Sequence, residues 1–323
     1  MTPPLTTDAT MQPSTPARQI RIGPVDPFES AGEISSIWKD AWRPPCLDYQ
    51  PEYVRFQFGF STRLAPVAIA AWRNGPAGAF VAAAGRSTHI GDLYLSSWLA
   101  LRPGTTPSVA VALIRTAARR LERTGVPVLV LAPTGSAAEY LLKAIDAMGL
   151  QRQALGEYRV HSGVPKTLPP GFQVDRMAPE DWGRMADRLR DDSLLTLRFD
   201  AANLRHFAGD PWGRQFLCAH RGGVVAAVAM ASWNRMAGAK GIARIPALHY
   251  VRAAAGSPEA LTALMAAVQD TSAVEVTVPN VVNLKPEFIK AAGLRPTGAV
   301  YSAFLFPNGC SLPLLRGTEF EMN

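Results

Sequence analysis

Asp92 and Tyr94 stand two residues apart in an apolar stretch that reads as a β-strand, so alternation puts both on one face. Tyr140 follows Glu139 at the start of a helical segment, and His249 and Tyr250 lie side by side in a second strand-like stretch. Carboxylates, phenols and imidazoles are the side chains that take up or release protons in a reaction. Each of these residues also has a plain reading as a half-buried strand aromatic, a turn carboxylate, a solvated helix-start acid or a satisfied core histidine. The five histidines show no HExxH or other ligand spacing, and Cys46, Cys218 and Cys310 form no CxxC pair. The sequence therefore offers neither a metal site nor a disulfide framework, which suits a reducing cytoplasm.

Such residues need a scaffold, and the chain is long enough to build two. Its 323 residues are about twice a usual domain, and 48% hydrophobic with 18% charged residues suits folded domains. The net charge of +7 is carried mostly by arginine. It reads either as a solvated basic surface or as attraction for an anionic ligand such as a phosphorylated cofactor. The basic residues do not form runs interleaved with aromatics, so nothing points to nucleic acid. The Thr- and Pro-rich start lacks a basic n-region and an apolar core, so residues 1–18 read as a disordered tail. The longest uncharged apolar stretch, Gly222 to Asn234, is too short to span a bilayer.

The two halves carry the same landmarks in the same order. Each opens with a strand running into a helix start, Ile20 to Ile22 before Pro27 and Phe172 to Val174 before Pro179; the prolines are 152 residues apart. Each continues with an Asp–Arg–Phe segment (Asp48, Arg55, Phe58; Asp200, Arg205, Phe207) and an apolar hairpin. The hairpins turn at Asn74-Gly75 and Gly222-Gly223. A further strand ends at Arg102 or Arg252 and gives way to a loop with Gly104 or Gly256, again 152 apart. Both loops end in a hydroxyl residue and proline, which predicts helices with Thr106 or Ser257 as N-cap and Pro107 or Pro258 at the first position. A strand closed by Pro133 or Pro279, a helix closed by Gly149 or Gly293, and a strand bearing Tyr158 or Tyr301 complete each half. The predicted division is an N-terminal domain at 19–161, a linker at 162–171 and a C-terminal domain at 172–323.

This element order resembles the GNAT superfamily of acyl-CoA N-acyltransferases, over roughly residues 18–161 and 171–306. The resemblance implies two α/β (α+β) domains, each a mixed, largely antiparallel twisted sheet flanked by helices. In that family the strand before the glycine loop splays from its neighbour and hydrogen-bonds the pantetheine arm, while loop and helix amides hold the pyrophosphate. A helix N-terminus with unsatisfied N–H groups suits a diphosphate. Carried over, the cofactor site comprises Leu101, Arg102, Gly104, Thr105, Thr106 and Ser108, with acetyl-CoA or another acyl-CoA as acyl donor. Glu259 in the first turn of the second helix opposes a phosphate, which favours the first loop. The family's tyrosine on the last helix is replaced by Ile145 and Ile289, leaving Tyr94, Tyr140 and Asp92 as catalytic substitutes. The implied acceptor is the amine of a small molecule or peptide. A catalytically inactive tandem domain that binds CoA or acts as a scaffold is the alternative, and a homodimer stays open. The dense aromatics Trp38, Trp42, Tyr49, Tyr53, Phe56, Phe58 and Phe60 read equally as an acceptor-pocket cover or as packing between the halves.

Overall fold

The computed structural model describes residues 20–42, 46–60, 62–72, 75–134, 142–238, 241–268 and 275–321. The first half runs β1 (Arg21–Pro24), α1 (Ala31–Ala41), β2 (Cys46–Leu47), α2 (Pro51–Phe58), β3 (Val67–Trp72), β4 (Ala77–Thr88), β5 (Gly91–Leu101), α3 (Pro107–Glu122), β6 (Val128–Pro133) and β7 (Gln153–Gly163), with a helical turn at 142–146 before β7. The second half runs β8 (Phe172–Arg176), α4 (Pro179–Arg188), β9 (Leu194–Leu195), α5 (Ala201–Ala208), β10 (Arg214–Arg221) and β11 (Val224–Gly238). It continues with β12 (Gly241–Ala253), α6 (Ala260–Ala267), β13 (Val276–Val278), α7 (Pro286–Ala292), β14 (Arg295–Phe306) and β15 (Gly317–Thr318).

The local signals explain most of these boundaries. Gly222 and Gly223 both take positive φ, 57° and 77°, which is the conformation a two-residue hairpin turn demands. Pro107 stands at the start of α3 behind an extended Thr106. Gly293 closes α7 in the left-handed conformation. Asn74 of the first hairpin turn lies outside the described residues.

Thirteen strands form one mixed, mostly antiparallel sheet, in the order β1-β3-β4-β5-β6-β14-β7-β13-β12-β11-β10-β8, with β2 pairing β11 off this path. The two halves exchange their last strands. β14 of the second half pairs β6 of the first from Tyr301↔Pro133 to Phe306↔Val128, and β7 of the first half pairs β13 of the second. β14 and β7 then pair with each other, which joins two sheets into one.

Helices cover both faces. α3 and the 142–146 turn pack on the first-half strands through Ile114, Leu121 and Ile145, while α6 and α7 pack on the second-half strands through Leu261, Leu264 and Phe288. On the other face α1, α2, α4 and α5 share one core that draws residues from both halves, including Trp38, Phe58, Trp98, Trp182, Phe207 and Tyr250. Among the described residues four ring contacts tie α2 and the residues after it to the second half, one of them Phe60 on His206 at 4.0 Å. Tyr53 stacks on Trp212 at 4.0 Å and 3°, Phe56 stacks on His206 at 4.4 Å and 9°, and Phe60 meets Phe207 edge-on at 5.2 Å. The aromatic-rich stretch of the first half thus serves as packing between the halves, since large rings contribute most area per side chain at such a junction.

His206 is the titratable member of that junction. Burial, reinforced by the nearby Arg86 and Arg214 cations, pulls its imidazole down to about 4 from its ordinary 6.5. The folded chain therefore holds this ring neutral where the unfolded chain protonates it, so the contribution is whole above about pH 6.5 and is lost as the pH falls toward 4. Urea unfolding from pH 7.5 to 4.5 is expected to show a falling midpoint. His206→Phe, which keeps a flat ring in the stack, is expected to reduce that slope. An unchanged slope in the variant would assign the acid sensitivity elsewhere.

Candidate functional site

Strand β5 runs parallel to β6 for three residue pairs, Tyr94↔Val128 to Ser96↔Val130, and there the pairing stops. β5 continues alone on that side to Leu101, roughly 16 Å at a strand's rise per residue. The parting coincides with a bulge on β5's other side, where Ala82 faces Trp98 but Ala84 faces Leu95, so one residue of β4 opposes two of β5. Beyond Leu101 the chain enters the glycine loop. Arg102 N–H donates to Gly78 O at 2.8 Å, and the Thr105 N–H donates back to Arg102 O at 3.0 Å, closing a tight turn. The Thr105 hydroxyl donates to Gly78 O at 3.0 Å and pins the loop to β4.

Gly104 sits in this turn at φ +85°, exposed, with nothing within 4 Å of where a Cβ would lie. A non-glycine residue there is strained although the space is free. Thr106 takes the N-cap position of α3 without capping it, because its hydroxyl pairs with that of Ser108 at 3.0 Å. The first turn holds no acid, and Thr106, Pro107 and Ser108 are exposed. An uncapped helix start of this kind presents amide donors and the positive end of the helix dipole to whatever occupies the surface. A groove of about 220 Å³ lined by Trp72, Gly78, Arg102, Gly104 and Thr106 borders it.

The cofactor residues read from the sequence are therefore brought together as one loop, with a difference at Arg102. Its guanidinium is directed to α1, donating to the Ser36 hydroxyl at 2.7 Å and pairing with Asp40 at 2.9 Å, so it braces the loop from behind. The catalytic candidates are not brought to the loop. Tyr94 is buried among Ile114, Leu121 and Val128, and its phenol donates to Ala65 O at 3.1 Å. Burial raises its pKa, partly offset by Arg120. Asp92 lies exposed at the β4–β5 hairpin and accepts from the Ser87 hydroxyl at 2.7 Å. Both sit at the end of β5 remote from the loop, Tyr94 roughly 26 Å along the strand from Arg102. Tyr140 lies outside the described residues. Ile145 is buried in the core under α3 and Ile289 is half-buried against the second-half core.

The second half repeats the arrangement with changes. β12 pairs β13 in parallel at Ala247↔Thr277 and continues to Ala253, and a bulge lies at the corresponding place, with Tyr250 at φ +49°. The helix after this loop does not start at Ser257 and Pro258. Those residues and Glu259 form a turn, the N-cap is Glu259, and α6 spans 8 residues against 16 in α3. Glu259 leaves a carboxylate where the first loop has none. His249 is held between the Ser232 hydroxyl at 2.8 Å and Glu321 at 2.5 Å, all three buried. Glu319 and Glu321 were given no role by the sequence. Their spacing shows alternation, but nothing in a chain-terminal segment names its distant partners.

No family model and no curated protein matches the sequence. Solved structures match over most of the chain. A tandem GNAT protein from the clavulanic acid biosynthesis pathway, solved without AcCoA, is 13% identical with a TM-score of 0.64 over 91% of this chain and 100% of its own. An N-myristoyltransferase of Saccharomyces cerevisiae with bound myristoyl-CoA is 10% identical with a TM-score of 0.65, covering 93% of this chain and 85% of its own. A GCN5-related N-acetyltransferase from Sphaerobacter thermophilus is 12% identical with a TM-score of 0.58, over 90% and 96%. These likenesses establish the fold. No helix among the described residues is long and apolar enough to cross a membrane.

The placement of Tyr94 predicts a structural role. Tyr94→Phe removes the bond to Ala65 O and is expected to lower the unfolding free energy by about 1 kcal/mol while leaving ligand binding at the Gly104 loop unchanged. Denaturant unfolding and a binding titration of the same variant check both parts, and weakened binding with intact stability would contradict them.

Proposed function

We propose that this chain, which has the tandem GNAT fold, is an acyl-CoA-dependent N-acyltransferase, with residues 19–161 and 172–323 as its two related units and the Gly104 loop as its cofactor site. One observation carries the reading. The first half combines a strand that parts from its parallel neighbour with an exposed, uncapped helix start at the end of that same strand. An extended arm lies naturally along the freed edge of β5, and a diphosphate lies naturally on the amides of Gly104, Thr106 and Ser108, with the Thr105 amide spent on the turn. The fold shared with a tandem GNAT protein, with an N-myristoyltransferase that holds myristoyl-CoA and with a GCN5-related N-acetyltransferase supports the same donor class.

Transfer proceeds by direct attack in this reading. The amine nitrogen of a small molecule or peptide forms a bond to the thioester carbonyl carbon, the carbon–sulfur bond breaks, and the proton lost by nitrogen ends on the departing thiolate. In this reading a backbone amide at the β5 bulge polarises the carbonyl, a role in which such donors contribute strongly. A phenol buried against Ala65 O is not free to protonate a thiolate, and Asp92 is at the wrong end of β5. Tyr140 is the remaining side-chain acid from the sequence reading. A positioned acid contributes about 10²- to 10⁴-fold, so activity with Tyr140→Phe distinguishes it from a water in that role.

The test of the site is Gly104→Glu. The new carboxylate faces the diphosphate position, and φ +85° resists any Cβ. Isothermal titration with acetyl-CoA is expected to show affinity reduced by about 10- to 100-fold, the loss of one or two charge-assisted bonds, with the circular dichroism spectrum unchanged. Equal affinity in folded mutant and parent would remove this loop as the site, and absence of free-thiol release with any amine would replace the enzyme by an inactive ligand-binding tandem domain.

A further inference from the structure

The second half has the same parted strands, but the chain's own C-terminal segment lies in the gap. Residues Gly317, Thr318, Glu319, Phe320 and Glu321 are all buried. Asn280, two residues after β13, donates to the carbonyl oxygens of Thr318 and Phe320, both at 2.9 Å. On the β12 side, the Tyr250 N–H donates to Glu321 at 3.1 Å, Arg252 donates to both carboxylate oxygens of Glu319, and the Val251 carbonyl accepts from Asn283. Glu319 also accepts from the Leu197 N–H at 2.7 Å. The segment is thus bonded on both sides of the parting, to β12 and to the residues that follow β13, and β15 within it pairs β9 at Gly317↔Leu194.

These partners are the ones an incoming ligand needs. A ligand lying along the freed edge of β12 would bond its backbone donors and acceptors, and Tyr250 N–H and Val251 C=O are already taken by side chains. The occupant is also costly to displace. Arg252 is 1% exposed and Glu319 is 3% exposed, so withdrawing the segment leaves a guanidinium buried without its carboxylate. The first half has no counterpart among the described residues: the freed edge of β5 beyond Ser96 meets no segment in strand register. The two loops differ in the same sense, since the second carries Glu259 at its helix start and the first carries no acid.

We infer that residues 317–321 are a built-in occupant of the second half's cofactor slot, so that the chain takes up one acyl-CoA, at the Gly104 loop, and the second half acts as scaffold. This rests on the acyl-CoA reading for the ligand, but the occupancy of the gap does not. The experiment combines both. Acetyl-CoA is titrated into the full chain, into Gly104→Glu and into Gly256→Glu, and hydrogen exchange is followed by mass spectrometry over 248–254 and 315–321 with and without acetyl-CoA. One molecule per chain is expected, weakened about 10- to 100-fold by Gly104→Glu and unaffected by Gly256→Glu, with core-like slow exchange in both segments whether or not ligand is present. Two molecules per chain, binding lost through Gly256→Glu, or ligand-induced release of 315–321 overturns the inference while leaving acyl-CoA as the ligand. If the parent binds no acetyl-CoA, the functional reading falls and hydrogen exchange alone decides the occupant: slow exchange at 317–321 keeps it, and exchange as fast as a frayed terminus removes it.

Discussion

A parallel strand at the end of a sheet leaves a row of unpaired backbone donors and acceptors, and each half of this molecule ends in one, β6 in the first and β13 in the second. Each is closed by a strand from the opposite half. Because β14 and β7 also pair with each other, from Arg295↔Ser162 to Leu305↔Gln153, the two edges are closed by one shared ladder. Parting the halves breaks that ladder and exposes β6 and β13 together. Neither half closes its sheet edge alone, since β14 covers β6 and β7 covers β13. The shared aromatic core on the α1, α2, α4 and α5 face follows from this, because joined sheets bring those helices to one side.

Within that frame the same backbone plan is used in two ways. Both central strands carry a bulge and both part from a parallel neighbour close to it, β5 at the bulge and β12 just before it. The difference lies in what fills the parting. In the second half it holds Arg252–Glu319 and His249–Glu321 pairs with the Asn280 and Asn283 amides, a polar network with most of its donors and acceptors matched. A buried ion pair such as Arg252–Glu319 adds little net stability compared with an apolar filling, but breaking it by removing a partner costs about 3–5 kcal/mol. The network therefore acts as a lock more than as a source of stability. It favours this arrangement of residues 317–321, because withdrawing Glu319 leaves Arg252 with only Asp187 at 3.9 Å and two backbone carbonyls.

The legible part of this design was the local part. Two glycines setting a hairpin turn, Pro107 behind an extended Thr106 and Gly293 at a helix end are events within a few residues, and the sequence states them directly. The start of α6 was misplaced for a local reason too: Pro258 fits a helix's first position and a turn equally well, and here the turn prevails. The strand exchange was not legible, since β7 and β14 read as last strands of their own halves and nothing in either names its neighbour. The same limit applies to Glu319 and Glu321, whose partners stand 67 and 72 residues earlier. Tyr94 shows the converse, because alternation put it on a face with Asp92 but could not reveal that one is buried under α3 and the other exposed.

The net charge of +7 invites a long-range account of anion attraction, and α3 displays the residues for it. Arg115, Arg119, Arg120 and Arg123 line a groove between this helix and β1 and β3. Distance argues against giving them that role. At 1.5 Å per residue, Arg115 is about 12 Å from Pro107 and Arg123 about 24 Å, while exposed charges are screened within about 8 Å at physiological ionic strength. Even the nearest of the four lies beyond that length and contributes little at the Gly104 loop. The Ser108 amide of the uncapped first turn acts at hydrogen-bond distance, where screening is slight, whereas Pro107 has no N–H and the Val109 and Ala110 amides donate to Thr106 O. The arginines set the sign of the surface, and the first turn of α3 carries neither a side-chain cap nor an acid.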